Sequence, residues 1–178
     1  MGLHSVKEMA KIFAHHGIAP QVDRSVFLSE GAVIIGDVVI GADSSIWPNT
    51  VLRADVNSIR IGQKTNIQDL CVCHVDSGGW PLVLEDEITV GHRVVLHGCH
   101  IKSRSLIGIG SIVMNGAVIG EESLVGAGSL VTEKTVIPPR TLALGSPAKV
   151  KRGLTPEEIA FLKLSAAHYV EIAQSYQK

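Results

Sequence analysis

The stretch Leu106–Gly145, "LIGIGSIVMNGAVIGEESLVGAGSLVTEKTVIPPRTLALG", decides the fold. An apolar residue recurs through it every six positions, at Ile107, Val113, Ile119, Val125, Val131, Ile137 and Ala143. Toward the N-terminus the same spacing links Val22, Leu28, Ile34, Ile40, Ile46 and Leu52. After a three-residue slip it resumes at Ile61, Ile67 and Cys73, and after a break at Val90 and Leu96. Four residues after most of these stands something small or β-branched: Ala32, Val38, Ser44, Thr50, Thr65, Ser111, Ala117, Ser123, Ser129 and Thr135. Both slots can point inward.

A period of six matches neither the 3.6 of a helix nor plain strand alternation. It matches short strands separated by corners, three to a coil, with each coil stacked on the last. The fold class expected is therefore mainly β, a parallel β-helix over residues 22–148, preceded by an N-terminal segment (1–21). The remainder (149–178) reads as a connecting turn, "GSPAKVKRG", and one amphipathic helix, "TPEEIAFLKLSAAHYVEIAQSYQK". Thr155 can cap this helix, Pro156 suits its first position and Glu158 completes a capping box. Ile159, Leu162, Ala166, Tyr169, Ala173 and Tyr176 form its apolar stripe, which is expected to pack along the β-helix and brace it.

Composition narrows the function. The chain has 178 residues, 46% hydrophobic but only 4% aromatic, so the core is aliphatic. Sixteen basic against seventeen acidic residues, with no basic run, argue against nucleic acid or an anionic membrane as partner. No signal peptide and no long apolar run is present, and the three cysteines (Cys71, Cys73, Cys99) form no disulfide pattern. A reduced, cytoplasmic protein is expected.

Polar chemistry concentrates in the middle coils. One position after the inward residue the plain repeats carry Gly41, Gly62, Gly91, Gly108, Gly120 and Gly126, whereas the same slot holds Arg53, Gln68, His74 and His97. Adjacent side chains on a strand face opposite ways, so these four should project from the prism. His74 and His92 are eighteen apart, about one coil, which would bring them near each other. His97 lies across a corner from His92, so a single chain does not readily aim all three rings at one point, and a neighbouring subunit could.

The hexapeptide repeats, with Gly or Asn at many corners, resemble the left-handed β-helix family, and the handedness is implied by that resemblance alone. Within it, "RADVNSIRIGQKTNIQDLCVCHVD" and "GHRVVLHGC" resemble the γ-class carbonic anhydrases through R-x-D, N-x-Q-D, H and then H-x-x-x-x-H. The resemblance implies a homotrimer with three metal sites between subunits, where His74 and His97 of one chain and His92 of the next hold zinc, or alternatively iron or cobalt. It also implies reversible hydration of carbon dioxide to bicarbonate, since three neutral imidazoles leave Zn²⁺ an open position and its full charge. Arg53, Asp55 and Asp69 match residues forming ion pairs at and across the interface, and Asn66 and Gln68 match residues around the reacting solvent. Tyr169 lies on the apolar stripe, where packing is the default, yet the family carries a tyrosine near the metal on its C-terminal helix. The family's glutamate after the R-x-D aspartate and its acidic loop after the first ligand are here Val56 and "VDSGGWPL", which implies slow proton export, with Asp76 a partial substitute.

Other readings stay open. "GSPAKVKRG" is shared with hexapeptide acyltransferases and thioesterases acting on coenzyme A esters, in which one histidine works alone, and a trimeric scaffold stapled by metal needs no catalysis. Asn66 sits at a corner slot that favours Asn for backbone reasons. His100 reads as a satisfied core or corner histidine; His4, His15, His16 and His168 as surface; and the cysteines as packing.

Overall fold

The computed structural model describes residues 10–177. It is a parallel β-solenoid of about seven turns with one C-terminal helix. Most strands are two residues long, and each stacks parallel between the coils before and after it. Leu106–Ile107 lies between Thr89–Val90 and Leu124–Val125, and Ile112–Val113 lies between Val95–His97 and Leu130–Val131. Val118–Ile119 lies between His100–Ile101 and Val136–Ile137, which completes three faces.

The apolar slots all turn inward. Ile34, Ile46, Leu52, Ile67, Cys73, Val90, Leu96, Ile107, Val113, Ile119, Val125 and Val131 are fully buried in one continuous core. The small slots are inward too, for a polar reason. Thr50 Oγ1 donates to the Gln68 carbonyl at 2.7 Å, Ser44 Oγ to Gly62 at 2.8 Å and Ser105 Oγ to Gly120 at 2.8 Å. At these corners a short inward hydroxyl thus satisfies a carbonyl that the two-residue strands leave unpaired, whereas Ala32, Val38 and Ala117 fill the same slot with apolar atoms.

The corners turn through the left-handed backbone region. Asn49 and several glycines occupy it, as the repeat suggests, but so do Lys64, Glu87, Arg104, Glu122 and Arg140, with φ between 52° and 59°. An L-residue there costs about 1–2 kcal/mol. Coil-to-coil backbone bonds such as Lys64 N–H to Ala42 and Arg104 N–H to Asp86 offset this, both at 2.9 Å. The outward side chains are then free to ladder: Glu122 accepts from Arg104 at 3.0 Å and from Arg140 at 2.7 Å.

Two insertions interrupt the regular coil, and both matter for the site. The long strands Val33–Ile40 and Val51–Ile61 pair in two registers with a shift between Gly36 and Val38, which bulges out Asp55–Ser58. The second insertion, around Asp76–Trp80, lengthens the next coil so that His74 pairs with His97, twenty-three residues on.

Further strands lie at both ends of the solenoid. Lys11–Phe13, within the stretch read as an N-terminal segment, pairs in parallel with Val33–Ile40. The stretch read as a connecting turn contains the strand Ala148–Gly153, antiparallel to Thr141–Gly145, so a hairpin covers the last sheet edge.

The helix spans Pro156–Ser175 with the capping box at Thr155 and Glu158 in place. Leu162, Ala166 and Ala173 are buried, Ile159 and Tyr169 half-buried, and Tyr176 is exposed although its ring reaches Phe27 and Trp47. The helix lies along the face of Ser45–Ile46, Asn66–Ile67 and Thr89–Val90. No helix among the described residues is long and apolar enough to cross a membrane.

The helix start is pH-sensitive. A hydrogen bond from Arg152, then one from the Thr155 backbone N–H, pull the Glu158 carboxyl down to about 2. A depressed folded value adds stability above the ordinary carboxyl range near about 4.3, and the gain disappears as pH falls toward the folded value. Wild type should therefore exceed Glu158→Gln in urea midpoint at pH 6, and the gap should close between about pH 4.5 and pH 2. A gap unchanged at pH 2 would contradict this.

Candidate metal centre

Arg53, His74 and His97 stand in one register column on successive coils, each one residue after a fully buried Leu52, Cys73 or Leu96. Their side chains therefore project outward, as strand alternation requires. His74 Nδ1 and His97 Nε2 face each other at 3.0 Å. Behind them each ring has a partner on its other nitrogen. Asp55 Oδ1 lies 3.0 Å from His74 Nε2, and Asn115 Oδ1 contacts His97 Nδ1.

These partners assign the protons. Burial alone would raise the Asp55 carboxyl, but the hydrogen bond from His74, then that from Arg53, bring it to about 2, so it is an ionised acceptor. His74 therefore carries its proton on Nε2. The Asn115 amide nitrogen donates to Asp76 Oδ2 at 2.6 Å, which turns its oxygen toward His97 and places that proton on Nδ1. With each proton assigned to its outer partner, the facing nitrogens of the two neutral rings both carry lone pairs. Two acceptors 3.0 Å apart repel unless a proton or cation lies between them. Ligand nitrogens on a tetrahedral Zn²⁺, at about 2.0–2.1 Å from the ion, stand roughly 3.3 Å apart, a little wider than this pair, whose 3.0 Å spacing is also that of an N–H···N hydrogen bond.

His92 is elsewhere. Its Nδ1 meets Asp69 Oδ2 at 2.8 Å, and its side chain is 44% exposed. The sequence spacing suggested His74 and His92 as coil neighbours; the insertion after His74 gives it His97 instead. Among the described residues of one chain, no group of three His, Cys, Asp or Glu side chains is arranged to hold a metal ion. The chain offers a pair at one edge of a face and a single imidazole at the other.

The other candidates divide between these two edges. Arg53 bonds Asp55 within the chain and stands with the histidine pair. Gln68 adjoins Asp69 and points out of the prism, but it is only 5% exposed because the helix covers that face. Its amide nitrogen donates to Asn66 Oδ1 at 3.2 Å, and Asn66 in turn donates to Thr89 Oγ1 at 3.0 Å. Tyr169 packs edge-on to Trp47 at 5.6 Å, and its hydroxyl is held above the ordinary range by burial and then by the Asp69 charge. It therefore packs on the helix while lying within electrostatic reach of the Asp69 edge.

The carbonic anhydrase of Geobacillus kaustophilus is 49% identical to this chain over 166 residues, covering 93% of the chain and 91% of that protein. The probable carbonic anhydrase of Methanocaldococcus jannaschii is 51% identical, covering 88% and 98%. This chain belongs to the γ-carbonic-anhydrase-like family of hexapeptide-repeat proteins. The family model for the bacterial transferase hexapeptide (six repeats) matches residues 98–133. The solved hexapeptide transferase family protein from Anaplasma phagocytophilum superposes with a TM-score of 0.90 at 41% identity, covering 93% of this chain and 98% of that one.

Several residues of this γ-carbonic-anhydrase-like chain are settled by their surroundings. Cys71, Cys73 and Cys99 are free and buried, and burial pushes the Cys71 and Cys99 thiols up to about 12. They are packing residues. His100 points outward between buried Cys99 and Ile101, where Glu85 binds it at 2.8 Å, so it is satisfied but is not in the core. His15 is half-buried, His16 and His168 are exposed, and His4 lies outside the described residues.

Asn115 was not singled out from the sequence. It reads as a corner residue in "MNG", and only the register brings it beside His97. Gly98 shows how tightly this corner is built. A Cβ there would stand 2.8 Å from Trp80 Cβ and 2.9 Å from Asn115 Oδ1, at a φ of +53°. Gly98→Ala should lower stability by about 1–3 kcal/mol through overpacking, in addition to backbone strain. Gly110→Ala, with nothing within 4 Å, should show the strain alone. Equal urea midpoints for the two variants would contradict this.

Proposed function

We propose that the chain is a carbonic anhydrase that hydrates carbon dioxide to bicarbonate and a proton in a homotrimer. Its three sites lie between subunits, each built from His74 and His97 of one chain and His92 of the next. The facing lone pairs of His74 and His97 carry this reading, because they form two ligands of an incomplete set while His92 presents a third at the opposite edge. A bound zinc ion, or iron or cobalt, supplies the Lewis acidity that makes water acidic near about pH 7.

The protein's own groups do the rest. Asp55 and Asp69 fix the proton positions and ring orientations of His74 and His92. Gln68, held by Asn66, orients the attacking solvent through its amide, and the Arg53–Asp55 pair stiffens the edge where subunits meet. The free thiols accord with a reducing, cytoplasmic setting.

Each hydration releases a proton. Val56 is 52% exposed and offers no carboxylate, and both Asp76 oxygens already accept hydrogen bonds, from Gly78 and from Asn115. Each Asp76 oxygen keeps a further lone pair, so Asp76 is a partial relay and soluble buffer carries the rest of the proton flux. In stopped-flow assays of zinc- and iron-loaded protein, hydration should rise with imidazole concentration, and Val56→Glu should raise the rate at low buffer without changing metal content. No hydration at any buffer concentration, alongside rapid cleavage of an acyl coenzyme A, would overturn the proposal.

A further inference from the structure

We infer that Asn115, fixed by Asp76, is a positioning residue that keeps the His97 Nε2 lone pair available, and that the Asp76–Trp80 loop holds it in place. The inference rests on the reading of His74 and His97 as metal ligands.

A neutral imidazole carries one proton, and its hydrogen-bond partner decides which nitrogen bears it. An asparagine amide can present either its oxygen or its nitrogen, so Asn115 by itself would not fix His97. Asp76 removes that choice. Its carboxylate only accepts, so the Asn115 nitrogen must face Asp76, at 2.6 Å, and the oxygen must face His97 Nδ1.

Asp76 is itself held at several points. Its Oδ1 accepts from the Gly78 N–H at 2.6 Å, and its backbone carbonyl accepts from Asn57 Nδ2 at 3.0 Å. Its N–H meets the Trp80 carbonyl at 3.3 Å. The Trp80 ring then lies over Gly116, where a Cβ would come within 3.0 Å of it. The loop is thereby pinned to the coil that carries Asn115.

Without this lock a competing arrangement opens. His97 could place its proton on Nε2, the tautomer imidazole side chains favour in water, and donate it to His74 Nδ1 at 3.0 Å. Both rings would then be satisfied by each other and closed to a cation. Asn115 stabilises the tautomer that forbids this. Asn57, which ties to Asp76, belongs to the same insertion as Asp55, so the partners that fix His74 and His97 sit on two bonded insertions.

The test uses the full-length, metal-stripped protein with ¹⁵N-labelled histidine at about pH 9, where imidazoles are ordinarily neutral. Long-range ¹⁵N–¹H correlations should place the wild-type His97 proton on Nδ1. In Asn115→Leu the proton should move to Nε2. In the isosteric Asp76→Asn, which frees the Asn115 amide to turn, a substantial fraction should do the same. Zinc affinity by chelator competition should fall on the order of 10–100-fold in both variants. If wild type binds zinc and the variants bind it equally, or if the His97 proton stays on Nδ1 in both, the inference is overturned while the metal reading stands. A wild type that binds no zinc overturns both.

Discussion

The structure turns on two imidazole nitrogens, His74 Nδ1 and His97 Nε2, held 3.0 Å apart with lone pairs facing. Neither ring chooses that state alone. Asp55 claims the His74 proton and Asn115 the His97 proton, so the pair is left with an unmet need for positive charge between its members. A proton can meet that need partly. In the proposed site a divalent cation with a third donor meets it fully, and His92, which Asp69 orients, would be that donor from another chain.

A perfectly regular solenoid would not build this. Regular coils put equivalent slots one above another, and in the plain repeats the slot after the inward residue is Gly91, Gly108 or Gly126. The irregularities supply the chemistry. The bulge at Asp55–Ser58 brings in Asp55, and the longer coil around Asp76–Trp80 sets His74 in register with His97 and brings in Asp76. The rigid repeats on either side make these insertions precise, since their ends are fixed by buried Leu52, Cys73 and Leu96. Preorganised ligands held on rigid elements are what a metal site requires.

The repeat was legible because its sequence period and its physical period coincide: Ile107, Val113 and Ile119 are six apart in sequence and one face apart in space. The helix was legible because Thr155 and Glu158 act locally. What stayed hidden depended on coil length or on docking. The partner of His74 could not be read without knowing that its coil is twenty-three residues long, whereas Asn115 stands one ordinary coil after His97 and was missed because an Asn at a corner reads as backbone chemistry. The burial of Gln68 follows from where the helix lies, which its stripe does not specify. Charged residues at left-handed corners were missed because coil-to-coil bonds outweigh their local preference. The ligand set itself came from resemblance, because spacing alone left the histidines open.

The central claim is that one site takes ligands from two chains, and subunit mixing tests it most directly. His92→Ala protein lacks the single donor, and the double variant His74→Ala, His97→Ala lacks the pair. Each alone should purify without zinc. Co-expressed with different tags and isolated as mixed oligomers, they should regain zinc, measured by mass spectrometry, because the intact pair of one meets the intact His92 of the other. Mixed oligomers as metal-free as their parents, or a His92→Ala protein that keeps full zinc by itself, would contradict the account.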